Sequence, residues 1–142
     1  MNLESELVME LTVECSECLE VGKTNEGFLR VIPIIGGTVS GPNIKGTVIP
    51  GGADWNVAVD EKLSHVFAKY CFKTDDGVVI SIENEGYIEN SPPENTIIKT
   101  VPKFGVDKDS KYEWLRNGVF VGSLGSSKFV ENGVDIKIYK LK

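Results

Sequence analysis

The chain has 142 residues, of which 41% are hydrophobic and 25% charged, a size and balance that suit one globular domain and exclude a disordered chain. Its net charge of −6 at pH 7 speaks against a nucleic-acid surface, which asks for a basic face, and no apolar run reaches the length of a membrane span. The start, MNLESELVMELTVEC, has acidic residues within its apolar stretch and no basic lead, so a secretory signal is not expected and a cytoplasmic address is.

Charge is unevenly placed along the chain. Residues 1–98 hold 6 basic and 16 acidic side chains, a balance of −10, while residues 99–142 hold 9 and 5, a balance of +4. If the two ends of the chain neighbour each other in the fold, the acidic start and the basic end neutralise in part.

The dominant period is two. Leu7, Met9, Leu11, Val13 and Cys15 alternate with Val8, Glu10, Thr12 and Glu14, which predicts a strand with one buried and one wet face. The run FLRVIPII follows and ends in Gly36-Gly37, with Pro33 marking an edge position or a bulge. TVSG and IKGTVIP read as short hairpin strands. Val66, Ala68, Tyr70, Phe72 and Thr74 then alternate up to Asp75-Asp76-Gly77, and Val78, Ile80 and Ile82 alternate away from it, a pattern that predicts a hairpin with a type I′ turn. Beyond Ser91-Pro92-Pro93 come TIIKTVPKF and GVFVGSL, with one helical turn between them over 110–116 that Asp109 or Ser110 would cap. The chain closes on Val134, Ile136 and Ile138, alternating with Asp135, Lys137 and Tyr139. The expected fold is all-β: an antiparallel, closed or nearly closed barrel spanning residues 1–142 as a single domain, with at most short helical turns.

Several motifs stand out in this order: GGTVSGP at 36–42, GTVIPGGADW at 46–55, YCFKTDDG at 70–77, NEG at 84–86 and YEWL at 112–115. Together they resemble domain of unknown function 3237, also called uncharacterised protein family 0311, over nearly the whole chain. The resemblance implies a small β-barrel and no established activity. The family usually carries arginine before the tyrosine of the TDDG hairpin, and Lys69 stands there in this chain, so a role for a planar guanidinium does not carry over.

The chemistry-bearing residues fall into a few groups. Cys15 and Cys18 form a CxxC pair, but His65 and Cys71 lie six residues apart on one expected strand, about 20 Å, too far to complete a metal site with them. Three cysteines without an export signal read as reduced thiols, and neither a metal nor a cofactor is expected. His65, the single histidine, shares parity with Leu63, Phe67 and Lys69 on the expected outer face, which argues against a catalytic triad. Glu83, Glu85, Asp75 and Asp76 read as solvated charge. Gly36-Gly37 and Gly51-Gly52 lack the lysine and the helix of a phosphate site.

Five residues form the candidate ligand-binding set: Arg30, Asp54, Trp55, Tyr70 and Asn84. In GGADW, glycines allow close approach to a ligand, Asp54 can accept backbone amides and Trp55 offers an apolar plate; the same stretch also reads as a turn opening a strand with a core tryptophan. Arg30 shares parity with Phe28, Ile32 and Ile34, and Asn84 with Val78, Ile80 and Ile82. A polar group on an apolar face needs a partner, a wet cavity or an escape to solvent. The leading expectation is a barrel that binds a small, mostly apolar molecule bearing an acid or carbonyl, with Arg30 on the acid. Two alternatives stand beside it. One is a cofactor-free isomerase or cyclase with Asp54 or Tyr70 moving a proton; the other is a structural barrel without a ligand. Nucleic-acid and membrane partners are not expected, and a homo-oligomer is left open.

Overall fold

The computed structural model describes all residues 1–142 and consists of nine antiparallel strands and one isolated helical turn. The strands are β1 (Ser5–Cys15), β2 (Leu19–Thr24), β3 (Gly27–Ser40), β4 (Lys45–Ala58), β5 (Leu63–Thr74), β6 (Val79–Glu89), β7 (Ile98–Gly105), β8 (Phe120–Ser126) and β9 (Gly133–Leu141). Their order is β1-β9-β8-β7-β6-β5-β4-β3-β2, and β1 also pairs with β3, which closes eight strands into a barrel and leaves β2 as an added strand on its rim.

Closure depends on β3 changing partners along its length. Its first part, Gly27–Val31, pairs with β2, and its last part, Ile34–Ser40, pairs with β1. Pro33, which cannot donate to a ladder, sits at the register shift between these parts, in keeping with a bulge. Gly37 has φ 139°, and a side chain on it would collide with the Thr12 carbonyl, so this close β1–β3 approach requires glycine. Gly36-Gly37 therefore does not end a strand: FLRVIPII and TVS are one continuous 14-residue element, and KGTVIP runs on through GGADW in another.

The termini meet, as the charge distribution suggested. β1 pairs with β9 from Ser5↔Leu141 to Glu14↔Gly133, and Lys137 Nζ lies 3.9 Å from Glu10 Oε1 on the outer face. A register shift between Leu7 and Met9 turns Val8 inward and Leu7 outward, so strict alternation fails at that end of β1.

The TDDG hairpin is formed, with Lys73↔Val79 as its last pair. Its turn is not type I′, which needs positive φ at both central residues. Only Gly77 has positive φ (92°), its amide donating to the Thr74 carbonyl at 2.9 Å, the pattern of a longer turn with a glycine bulge. Asp76 accepts from Tyr112 Oη at 2.6 Å and pairs with Lys111 at 3.1 Å, tying this turn to the segment before the helical turn Glu113–Arg116. The Thr74 hydroxyl, then Tyr112 and Lys111, hold the Asp76 carboxyl well below the usual carboxylate range. Neither Asp109 nor Ser110 caps the helical turn; Tyr112 precedes it without a side-chain cap, and Ser110 Oγ accepts from the Tyr112 amide instead.

This end of the barrel is packed solid. Met9, Leu11, Val48, Phe72, Ile80, Ile82 and Ile138 are fully buried, and Tyr112 and Leu115 close over them. Large side chains here, and small ones such as Ala68 towards the other end, leave the lumen filled at one end and empty at the other. No helix is long and apolar enough to cross a membrane.

Candidate functional site

The unfilled half of the lumen is a cavity of about 750 Å³, within the usual range for small-molecule sites. Thirteen of its 20 lining residues are hydrophobic, among them Val13, Ile34, Ala68, Leu124 and Ile136. Its mouth is framed by Ser16, Glu17 and Cys18 of the β1–β2 connection and by Asn132 before β9. The charged lining residues are Glu17 and Asp54, and no cationic side chain faces the space.

Polar groups enter this apolar wall from four neighbouring strands. Asp54 of β4 stands opposite Ala68 of β5, which in turn stands opposite Asn84 of β6. The small Ala68 side chain thus forms a floor between a carboxyl and a carboxamide whose Cα atoms are about 10 Å apart, two strand spacings. Tyr70 lies two residues further along β5 on the same inner face, and Gly52 allows the β4 backbone to pass close against its Cβ. Thr100 of β7 pairs with Gly122 of β8. A Cβ on Gly122 would stand 2.6 Å from Thr100 Oγ1 and 3.7 Å from both ends of the Asn84 carboxamide, so glycine there keeps space over both groups.

Three of these groups are buried without a partner. Tyr70, Asn84 and Thr100 are each 3% exposed, and Tyr70 Oη, Asn84 Oδ1 and Thr100 Oγ1 make no hydrogen bond. An unpaired buried polar atom costs roughly 1–3 kcal/mol. Burial pushes the Tyr70 phenol far above its ordinary value, with Cys15 adding to the effect, so the hydroxyl stays protonated and is a ready donor. Burial also raises the Asp54 carboxyl, against the opposing pull of the Phe67 amide, which donates to Oδ1 at 3.2 Å, and of His65. The Cys15 thiol is raised by burial and by the nearby Asp54 charge, which makes it a poor nucleophile.

Of the five residues singled out in the sequence, Asp54, Tyr70 and Asn84 line the cavity, whereas Arg30 and Trp55 do not. Trp55 is 50% exposed on the outer surface, in a shallow depression with Leu29, Val57, His65 and Phe67. It directly follows Asp54 in a strand, and successive side chains point to opposite faces, so the two could not both face the lumen. Arg30 has the same parity as the lining residue Ile32 but lies one inner position nearer the rim, where β3 carries β2 beyond the closed barrel. There its side chain is exposed, with the guanidinium 5.0 Å from the Phe28 ring centre. Lys69, where the family usually has arginine, points outward and pairs with Glu83 at 3.2 Å. His65 is likewise outside, its Nε2 2.8 Å from Glu85 Oε2 and its ring 4.8 Å from that of Tyr87. Thr100 was missed, although its parity with the lining residue Ile98 in TIIKTVPKF carried the same signal as Asn84.

The sequence profile of the family described as "protein of unknown function (DUF3237)" matches residues 3–141. The chain belongs to this family. A UPF0311 protein of Rhodopseudomonas palustris is 34% identical over 134 residues, 85% of this chain and 87% of that protein. One from Clostridium acetobutylicum is 34% identical over a 155-residue alignment, covering 99% and 94% of the two. Among solved structures, a β-barrel-like protein of Acinetobacter baumannii superposes with a TM-score of 0.87 at 29% identity, covering 100% of this chain and 98% of that one. A Penicillium herquei chain described as an enzyme superposes with a TM-score of 0.77 at 18% identity, covering 100% and 96%, and shares the barrel fold.

Proposed function

We propose that this family member binds a small neutral molecule in the open half of its barrel, one with a mostly apolar body and both hydrogen-bond-accepting and -donating groups. The observation that carries this reading is the cavity of about 750 Å³ itself, whose mostly apolar wall includes the side chains of Asp54, Tyr70, Asn84 and Thr100. Turned towards a bound molecule, the Tyr70 and Thr100 hydroxyls can donate to a carbonyl, and the Asn84 carboxamide can donate or accept. The acidic ligand expected from Arg30 is not favoured, because Arg30 is outside and the lining charges, Asp54 and Glu17, are negative.

A fluorescence titration with N-phenyl-1-naphthylamine, a neutral apolar probe with one N–H donor, tests the reading. Saturable binding is expected, lost in Ala68→Phe, which puts a ring on the cavity floor, and kept in Trp55→Ala, which changes only the outer depression. Equal binding by wild type and Ala68→Phe, or loss confined to Trp55→Ala, would place the site elsewhere and overturn it.

A further inference from the structure

The lumen holds more than a binding site needs. A ligand that is only held gains little from a half-buried carboxyl, since Asp54 has a single hydrogen bond, from the Phe67 amide, and no cationic partner in the cavity. From this arrangement we infer that the barrel is an enzyme without a cofactor, which moves a proton between carbon atoms of a neutral carbonyl compound. Asp54 is the base that takes and returns the proton, and Tyr70 donates a hydrogen bond to the carbonyl oxygen. The inference rests on the binding reading above and adds the substrate class and the reaction.

The geometry supplies the parts in order. Asp54 is the one carboxyl on the barrel wall itself, since Glu17 belongs to the mouth connection. Tyr70 is its diagonal neighbour across the β4–β5 ladder, because Asp54 opposes Ala68. Such positions lie about 7–8 Å apart along the wall, and both side chains line the same cavity, where one small carbonyl compound can meet them together. Ala68 leaves the floor between them free, and Asn84 on the far side of Ala68 can orient a second polar group of the substrate. Burial acts in the same direction on both reacting groups: it makes the Asp54 carboxylate a stronger base and keeps the Tyr70 phenol protonated.

The step balances without an outside oxidant or reductant. The Asp54 carboxylate removes a hydrogen from the carbon α to the carbonyl. The C–H electron pair forms the new C=C bond, and the carbonyl π pair moves onto oxygen, where the Tyr70 O–H stabilises it by a hydrogen bond without giving up its proton. Return of the proton from Asp54 to the same carbon regenerates the ketone. In a β,γ-unsaturated ketone, return to the γ carbon shifts the double bond instead. Nothing is oxidised or reduced.

Hydrogen–deuterium exchange at the α carbons of 2-tetralone, followed by proton NMR in D₂O, tests this directly, with binding of the same ketone followed by its displacement of N-phenyl-1-naphthylamine. Wild type is expected to exchange the α hydrogens faster than buffer does. Asp54→Asn should lose about 10²–10⁴-fold of the protein-dependent rate while still binding the ketone. Tyr70→Phe should lose about 10²–10³-fold, the range for removing one donor to a developing oxyanion. The pH profile of wild type needs no variant. The titratable groups sharing the cavity with Asp54 are Cys15 of β1, Glu17 and Cys18 of the mouth connection and Tyr70 of β5, with His65 acting through the wall from outside, and the rate must fall as acid protonates the raised Asp54 carboxyl. Binding of 2-tetralone without exchange above buffer, a folded Asp54→Asn that exchanges like wild type, or a flat profile between about pH 4 and 8 would each overturn the proton transfer and leave binding intact. Absence of 2-tetralone binding would overturn the ketone as substrate class and the proton transfer with it, while the binding reading stands or falls on the naphthylamine titration.

Discussion

Replacing Tyr70 by phenylalanine removes one oxygen and keeps the ring, at a position 3% exposed whose hydroxyl meets no partner. In the free protein that hydroxyl has been taken from water without compensation, a cost of about 1–3 kcal/mol. Tyr70→Phe should therefore be more stable than wild type by about that amount. For a chain of this length each kcal/mol corresponds to roughly 3–4 °C, so Tm should rise by about 3–12 °C. Urea unfolding of ligand-free protein, followed by circular dichroism, gives the free energy, and an unchanged slope against urea shows that the unfolding reaction is the same. Affinity for 2-tetralone should move the opposite way, falling by about 0.5–1.5 kcal/mol as the donor to its carbonyl is lost. Opposite signs in the two assays are the signature of a polar atom kept for a ligand. A Tyr70→Phe protein that is less stable than wild type by about 1 kcal/mol would show that the hydroxyl is bonded within the fold, and the reasoning from unpartnered oxygens would fail with it.

Asp54→Asn should stabilise the protein at neutral pH, because burial raises the carboxyl above its unfolded value. The native state then holds the proton more tightly than the unfolded chain, so wild-type stability falls as pH rises through this window; the advantage of the variant should vanish below about pH 4, read from melts across pH. Gly37→Ala should lose about 2 kcal/mol or more in urea unfolding, since φ 139° and the Thr12 carbonyl leave no place for a Cβ. Lys137→Ala should change stability by less than about 1 kcal/mol, as its 3.9 Å contact with Glu10 is solvent-exposed, and a larger loss would assign that pair more than setting register.

Much of this fold was legible in one dimension because a strand has period two. The alternation in Met9–Val13, Val66–Thr74 and Val78–Ile82 names the inner face residue by residue, and the acidic start and basic end foretold the β1–β9 pairing. The same parity placed Tyr70 and Asn84 on the lumen side and His65 outside, whereas Asp54 stood out only as part of GGADW and its inward side became clear from the register. What parity cannot give is depth. Arg30 and Ile32 share a face, yet one extends at the rim and the other lines the cavity, because only the assembled barrel fixes where its closed wall ends. Nor does parity reveal register shifts such as those at Leu7/Met9 and around Gly51, which depend on how neighbouring strands must bend to close eight of them into a ring. The cavity itself is a tertiary quantity. Ala68 and Gly122 are unremarked small residues in the sequence, and only the assembled barrel sets Ala68 between Asp54 and Asn84 and brings the Gly122 backbone close over Thr100.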